Sequence, residues 1–273
     1  MSEDINKKVD RVLNDMRAPF PSKDASWERL MHRIEAKEVR KEKKSNRFTY
    51  IAAVASIALI TALVFVLSTD LKRVDTQLAE HKVIELPDGS TVSLNADSYI
   101  EFNETDFMDL REIHLDGEAF FQVKKGSKFD VITDKGTVSV LGTSFNVCDR
   151  SDFLEVTCET GKVGVRHAGA EIILTPGTAT ITKNGILMPA FKAEKASDWI
   201  RGSFDFQDDE LAFVFDELER QFGVDVKAND IEGRYFTGQF DSTDLETALT
   251  VICQPMGLDY AINEDLEIVV TSK

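Results

Sequence analysis

The apolar residues change their spacing four times along the chain, and each change predicts a different kind of structure. Near the N-terminus the period is helical: Ile5, Val9, Val12, Leu13 and Met16 recur at i, i+4, i+7, i+8 and i+11, one face of a helix. The stretch APFPSKDAS, Ala18 to Ser26, interrupts it with two prolines and capping residues. A second stripe follows, with Trp27, Leu30, Met31 and Ile34 at i, i+3, i+4 and i+7. Short amphipathic helices are marginal in water unless the apolar face is covered. These two can pack on each other as a small hairpin, or lie in a groove on another protein with Trp27 as the large anchor.

Periodicity then disappears. Phe48 to Leu67 is a run of twenty residues without a charge, and twenty helical residues extend roughly 30 Å, the thickness of a bilayer's hydrocarbon layer. A signal peptide has a shorter apolar region near the N-terminus, whereas 47 residues precede this run. The reading is a membrane-spanning helix, with a buried core helix as the alternative. Eight Lys or Arg lie in the twenty residues before it and three in the twenty after. The expected topology is therefore a single pass with a cytoplasmic N-terminus and an exported C-terminal part. Ala58 and Ala62 have small-xxx-small spacing, which composition alone also explains. Leu71, Val74 and Leu78 predict a short juxtamembrane helix.

Beyond residue 80 the pattern becomes alternation. His81 to Phe102 reads as two strands around Asp88-Gly89, a dipeptide that favours a tight turn. Arg111 to Val123, Phe129 to Val147, Leu154 to His167 and Ala170 to Thr182 repeat short strands joined at glycines. Gly89, Gly117, Gly136, Gly161 and Gly177 lie 28, 19, 25 and 16 residues apart, as loosely stacked solenoid turns or an ordinary β-sandwich would place them. From Ser197 the order becomes β-α-β-β-α-β-β. Its first helix has Leu211, Val214, Phe215, Leu218 and Phe222 on one face, Asp208 or Asp209 as its cap and Gly223 as its stop. A Thr243/Glu246 capping box opens the second, with Leu245, Ala248, Leu249 and Ile252 on its buried face.

The fold class is thus a membrane-anchored chain in five parts: an all-α cytoplasmic segment (1–47), a transmembrane helix (48–67), a linker (68–82), an all-β domain, solenoid-like or sandwich (83–190), and a small α+β domain (197–273). Charge divides along the same lines. The net charge of −16 hides +4 over residues 1–47 and −20 beyond the span. The acidic part will not be drawn to nucleic acid, while the basic part can meet an anionic partner or lipid headgroups, or serve topology alone. Forty-seven residues are too few for an independent core, and 206 suffice for one or two domains.

Candidate chemistry is sparse. His32, His81, His114 and His167 show no metal-ligand spacing. The phosphate-binding, serine-hydrolase and zinc-protease motifs are absent. No catalytic residue, metal or cofactor is called, and no enzyme is expected. Cys148, Cys158 and Cys253 are an odd set; in a hairpin turning at Asp149 to Asp152, Cys148 faces Phe153, so buried free thiols are the reading, with one disulfide as the alternative.

Three blocks carry a resemblance: LPDGSTVSLN (Leu86, Pro87, Asp88, Gly89, Leu94, Asn95), LDGEAFFQV (Gly117, Glu118, Ala119) and VLGTSFNV (Gly142, Thr143, Phe145, Val147), followed by GKVGV. In this order they resemble the periplasmic domain of the FecR family of transmembrane anti-sigma factors, and Trp199 to about Val270 resembles the secretin and TonB short N-terminal-like domain. The resemblance implies an N-terminal segment that holds an extracytoplasmic-function sigma factor, with Trp27, Leu30, Met31 and Ile34 as the contact. It also implies a single-pass inner-membrane protein whose periplasmic C-terminal part meets the signalling domain of a TonB-dependent outer-membrane receptor, with regulatory proteases acting on the chain. A membrane-anchored glycan-binding or envelope scaffold protein is the alternative.

Overall fold

A computed structural model describes residues 3–16, 22–38, 47–66, 71–193, 197–263 and 266–273. The chain divides into two units, Met1–Ser68 and Thr69–Lys273.

In the first unit the helical spacings become helices α1 (Glu3–Asp15) and α2 (Lys23–Glu38), and the uncharged run becomes α3 (Arg47–Val66). Ser22 Oγ accepts the Ala25 N–H at 3.3 Å at the start of α2. Within α3, Thr61 Oγ1 bonds back to Ile57 O at 2.9 Å, a bond that only slightly perturbs a helix.

The expectation of a membrane-spanning helix is corrected. Among the described residues no helix is long and apolar enough to cross a membrane. The single-pass inner-membrane localisation and its topology lose their support with it. The proline linker at 17–21, the basic cluster at 39–46 and the residues 67–70 fall outside the described residues.

The second unit begins with another correction. The segment expected as a juxtamembrane helix is strand β1 (Leu71–Thr76), antiparallel to β4 (Ser98–Asn103) from Leu71↔Asn103 to Thr76↔Ser98. Six consecutive ladder pairs and the packing of Val74 on the core override a weak helical spacing. Between them β2 (Lys82–Glu85) and β3 (Thr91–Leu94) form the hairpin around Asp88-Gly89.

The organising element is β5 (Arg111–Gln122), which belongs to two sheets. Its first half pairs with β4 and, in parallel, with β6 (Phe129–Thr133); its second half pairs with β3 and β8 (Ser144–Arg150). The halves meet at Gly117, where φ is +96° and a Cβ would lie 2.8 Å from Ser98 Cα, so only glycine lets the strand pass. The first sheet runs β1-β4-β5-β6, then β7 (Gly136–Val140), β10 (Val163–His167) and β11 (Ala170–Leu174). The second runs β2-β3-β5-β8, then β9 (Phe153–Cys158) and β12 (Thr178–Lys183), whose far edge carries β13 (Ile186–Leu187) and β14 (Phe191–Lys192). Both sheets face one core, as in a sandwich, but successive hairpins enter them alternately, as stacked turns would. Phe121 stacks on Phe145 at 5.1 Å in that core, with Phe102, Phe107 and Phe129 beside them.

The remaining elements are β15 (Ser203–Glu210), α4 (Leu211–Phe222), β16 (Asp225–Ala228), β17 (Tyr235–Asp241), α5 (Leu245–Cys253), β18 (Leu258–Ile262) and β19 (Glu267–Ser272), preceded by a 3-10 turn at Asp198–Arg201. β15 pairs with β17, and β19 lies between β16 and β18. The two helix starts differ from expectation. Glu210, without a side-chain cap bond, precedes α4, because Asp208 and Asp209 stay in β15, where Asp209 Oδ2 accepts the Gln207 N–H. Asp244 rather than Thr243 caps α5, accepting from the Glu246 and Thr247 N–H groups.

Candidate functional site

Two places stand out: the open stripes of α1 and α2, and a buried polar junction inside the second unit. Trp27, Leu30, Met31 and Ile34 lie on α2 and are 63, 48, 43 and 47% exposed. Ile5, Val9, Val12, Leu13 and Met16 on α1 are also exposed. Among the described residues neither stripe is covered, so the self-packed hairpin does not account for them. Nine exposed large apolar side chains on two short helices are what a protein-binding segment presents before its partner arrives.

The motif residues divide into three roles. Leu86, Leu94, Ala119, Phe145 and Val147 fill the core. Pro87, Asp88 and Gly89 form the turn, and Asp88 does more than turn the chain. Its Oδ2 lies 2.5 Å from Arg111 Nη2 with both side chains buried, and it accepts Ser90 N–H and O–H bonds at 2.8 Å each. Arg111 also donates to Ser127 O at 2.7 Å and Lys124 O at 2.8 Å. Burial works to raise the Asp88 pKa, but the Ser90 and Arg111 hydrogen bonds hold it below the ordinary carboxylate value. The sequence reading missed Arg111; a lone cation opening a long strand was the signal. Gly142 has φ +150° and its Cβ would meet Lys125 Cα at 2.6 Å, so this turn also needs glycine. Thr143 follows it, buried with its O accepting the Val123 N–H at 2.8 Å.

Asn95 and Glu118 belong to the junction. Asn95 Nδ2 donates to Glu118 Oε2 and Asn146 Nδ2 donates to Glu118 Oε1, each at 2.8 Å. Both amides are oriented from elsewhere: Asn95 Oδ1 accepts the Ala96 N–H, and Asn146 Oδ1 accepts the Trp199 indole N–H at 3.0 Å. Neither donor can reverse its role, so both Glu118 oxygens must accept, as a carboxylate does. From α4, Gln221 Nε2 donates to Asn95 Oδ1 at 2.9 Å and Glu217 Oε1 at 2.8 Å. His81 meets Gln221 Oε1 at 2.9 Å through Nε2, which therefore carries its proton, and lies edge-on to Trp199 at 5.5 Å. Arg220 pairs with Glu217 at 2.8 Å. Apolar contacts complete the seam: Phe120 packs in the core of the C-terminal module, and Phe153 meets Phe213 at 5.4 Å.

Register explains the arrangement. Glu118 stands opposite Cys148, and Cys148 opposite Glu155, in one row across β5, β8 and β9. Cys148 therefore faces Glu155, not Phe153 as expected, because the hairpin turns at Ser151 and Asp152 alone. The three cysteines are free. Burial, and after it the Glu217 charge, push the Glu118 carboxyl above its ordinary value. Burial, then Glu118 and Asp209, push Glu155 to about 7. Arg150, buried beside them, donates to Ala96 O at 2.7 Å and Asp97 O at 3.0 Å, and its Nε has no partner. Among the described residues no group of three His, Cys, Asp or Glu is placed to hold a metal.

Open apolar stripes in one unit, and in the other two modules joined by a wired polar seam, are the surfaces this chain offers for contacts, with no catalytic constellation among the described residues. Comparison gives the family. The model described as FecR protein matches residues 72–164, from β1 into β10, and FecR, C-terminal, matches 203–270, from β15 into β19. Together they cover more than half of the sequence: the chain belongs to the FecR family of anti-sigma factors. Two crystal structures of a protein assigned as an anti-sigma factor from Parabacteroides distasonis ATCC 8503, at 2.50 and 1.65 Å, are similar at 29% identity with TM-scores of 0.70 and 0.69. Each similarity covers 74% of this chain and 99% of that one. No curated protein matches the chain.

Proposed function

We propose that this chain is an anti-sigma factor that holds an extracytoplasmic-function sigma factor through α2 and yields it when the second unit receives a signal. The observation that supports this most is the α2 stripe. Trp27, Leu30, Met31 and Ile34 form one uncovered apolar face with a large aromatic at its start, as helices that dock in a protein groove present. The family is regulatory, and nothing in this reading calls for catalysis. The signal would come from the signalling domain of a TonB-dependent outer-membrane receptor, with the C-terminal module as the contact and regulatory proteases acting downstream.

The test is retention of the cognate sigma factor by full-length chain, with Trp27→Ala and Leu30→Ala combined. Truncating two anchors of this kind costs a groove-bound helix about 2–4 kcal/mol or more, a loss of at least about 30-fold in affinity. Unchanged retention would remove α2 as the sigma contact. For the receptor, a chain lacking 199–273 should fail to capture the receptor's signalling domain; continued capture would move the contact to the β domain.

A further inference from the structure

The reading above gives the junction carboxylates no role beyond structure, yet their arrangement is costly. The face of the second sheet that the C-terminal module covers carries Glu118 on β5, Asn146, Cys148 and Arg150 on β8, and Phe153 and Glu155 on β9. Strands in a sheet lie about 4.8 Å apart, so Glu118 and Glu155, one strand removed, stand about 10 Å from each other in one row. From the module, Asp209 of β15 faces Glu155, and Glu217 and Arg220 of α4 face Glu118 and Cys148; Asp205 and Asp208 lie beside Asp209, and Asp216 beside Arg220. His81 ahead of β2 completes the set, while Asp198 and Arg201 of the 3-10 turn pair with each other. Arg220 is committed to Glu217, and Arg150 to carbonyl oxygens, to Ser98 Oγ and, at 4.0 Å, to Asp97 Oδ2. Among the described residues neither Glu118 nor Glu155 has a cation within ion-pair distance.

We propose that this seam is a proton-operated latch: the C-terminal module stays clamped on the second sheet while Glu155 is protonated, and the clamp loosens as Glu155 ionises beside Glu118. A carboxylate seam of this kind differs from an inert domain contact, because the same surfaces carry both the apolar attraction of Phe120, Phe153 and Trp199 and an excess of negative charge. The sign follows from linkage. Burial and the neighbouring carboxylates raise Glu155 to about 7 in the closed form, above the ordinary value of 4.5 it would have when exposed. The closed form therefore binds the proton more tightly. Its advantage is full below pH 4.5 and is lost as pH rises through about 7, by up to about tenfold per pH unit inside that window.

Trp199 reports the state of the seam directly, since its indole is buried and bonded to Asn146. The experiment uses the full chain with Trp27→Phe, which leaves Trp199 as the sole tryptophan, and follows its emission and the hydrogen exchange of 199–222 from pH 5 to 8. Emission should move to longer wavelength and exchange, corrected for its intrinsic pH dependence, should quicken as pH rises. Glu155→Gln should flatten both profiles, whereas His81→Gln should leave them sloped. Asn146→Ala supplies the spectrum of a loosened seam at every pH. The proposal fails if emission and exchange hold constant while Asn146→Ala shifts them, if Glu155→Gln keeps the wild-type slope, or if His81→Gln abolishes it. None of these readouts involves a sigma factor, so the result stands apart from the test of α2.

Discussion

Replacing Arg111 by Ala should be among the most damaging single changes in the β domain. The guanidinium is buried, with Nη2 2.5 Å from Asp88 Oδ2 and bonds to Ser127 O and Lys124 O at 2.7 and 2.8 Å. Its removal leaves a buried carboxylate with only its Ser90 bonds and no cation, and two carbonyls without this donor. Breaking a buried pair from one side costs about 3–5 kcal/mol, and in a folded unit of this size each kcal/mol moves Tm by about 2–4 °C. The expected fall is therefore roughly 6–20 °C, read by circular dichroism on the full chain. Acid adds a second signature. Asp88 has a lowered pKa in the folded chain, so its contribution is present above the ordinary value of 3.8 and disappears as pH falls through the folded value; Arg111→Ala should flatten that acid limb. The double variant Asp88→Leu, Arg111→Met should regain much of the loss, since it leaves no uncompensated charge. A fall below about 2 °C for Arg111→Ala, or a double variant worse than the single, would refute the argument.

Gly117→Ala should destabilise by about 1–3 kcal/mol from backbone strain alone, with the approach to Ser98 adding to it; an unchanged urea midpoint would show that β5 can bend without glycine. Phe121→Ala removes a fully buried ring stacked on Phe145 and should cost about 3–5 kcal/mol, seen as a lower midpoint at unchanged slope. Glu155→Gln should raise Tm at pH 8 relative to wild type and change it little at pH 5, because only the ionised form is penalised by the seam; an equal drop at both pH values would mean the side chain matters for packing instead.

Local signals in this sequence gave local structure well and long-range structure badly. The stripes of α1, α2 and α4, the Asp88-Gly89 turn and the Gly223 stop are written in spacings of one to eleven residues, and the structure places helices and a turn on them. The segment from Leu71 to Leu78 has an equally helical spacing, but its first six residues form β1, because the deciding partner, β4, lies some thirty residues further on. Cap positions moved by one or two residues for a related reason. Asp208 and Asp209 remain in a strand that pairs with Thr237 and Phe236, and pairing across the sheet outweighs the attraction of a carboxylate to a helix start. The uncharged run shows the limit of length as a criterion: its residues 48–66 are helical, yet among the described residues no helix is long and apolar enough to cross a membrane.

The seam was the hardest feature to read, because it joins Asn95 to Gln221 across 126 residues and Asn146 to Trp199 across 53. One clue was nevertheless present. A strand covered on one face alternates apolar and polar residues, but β5 breaks alternation at Ala119, Phe120 and Phe121, which are all buried. A strand apolar on both faces needs a second layer, and within the second unit that layer is the C-terminal module, whose core Phe120 joins. Once that is granted, the polar residues that share the Phe120 face, Glu118 and Asn146, cannot be surface residues; they must be buried and bonded. Motif residues that resemble a family signature therefore have two distinct reasons for their identity here: Leu94, Phe145 and Val147 answer to the core between the sheets, while Asn95 and Glu118 answer to a module far along the chain, Asn95 through Gln221 and Glu118 through the charge of Glu217.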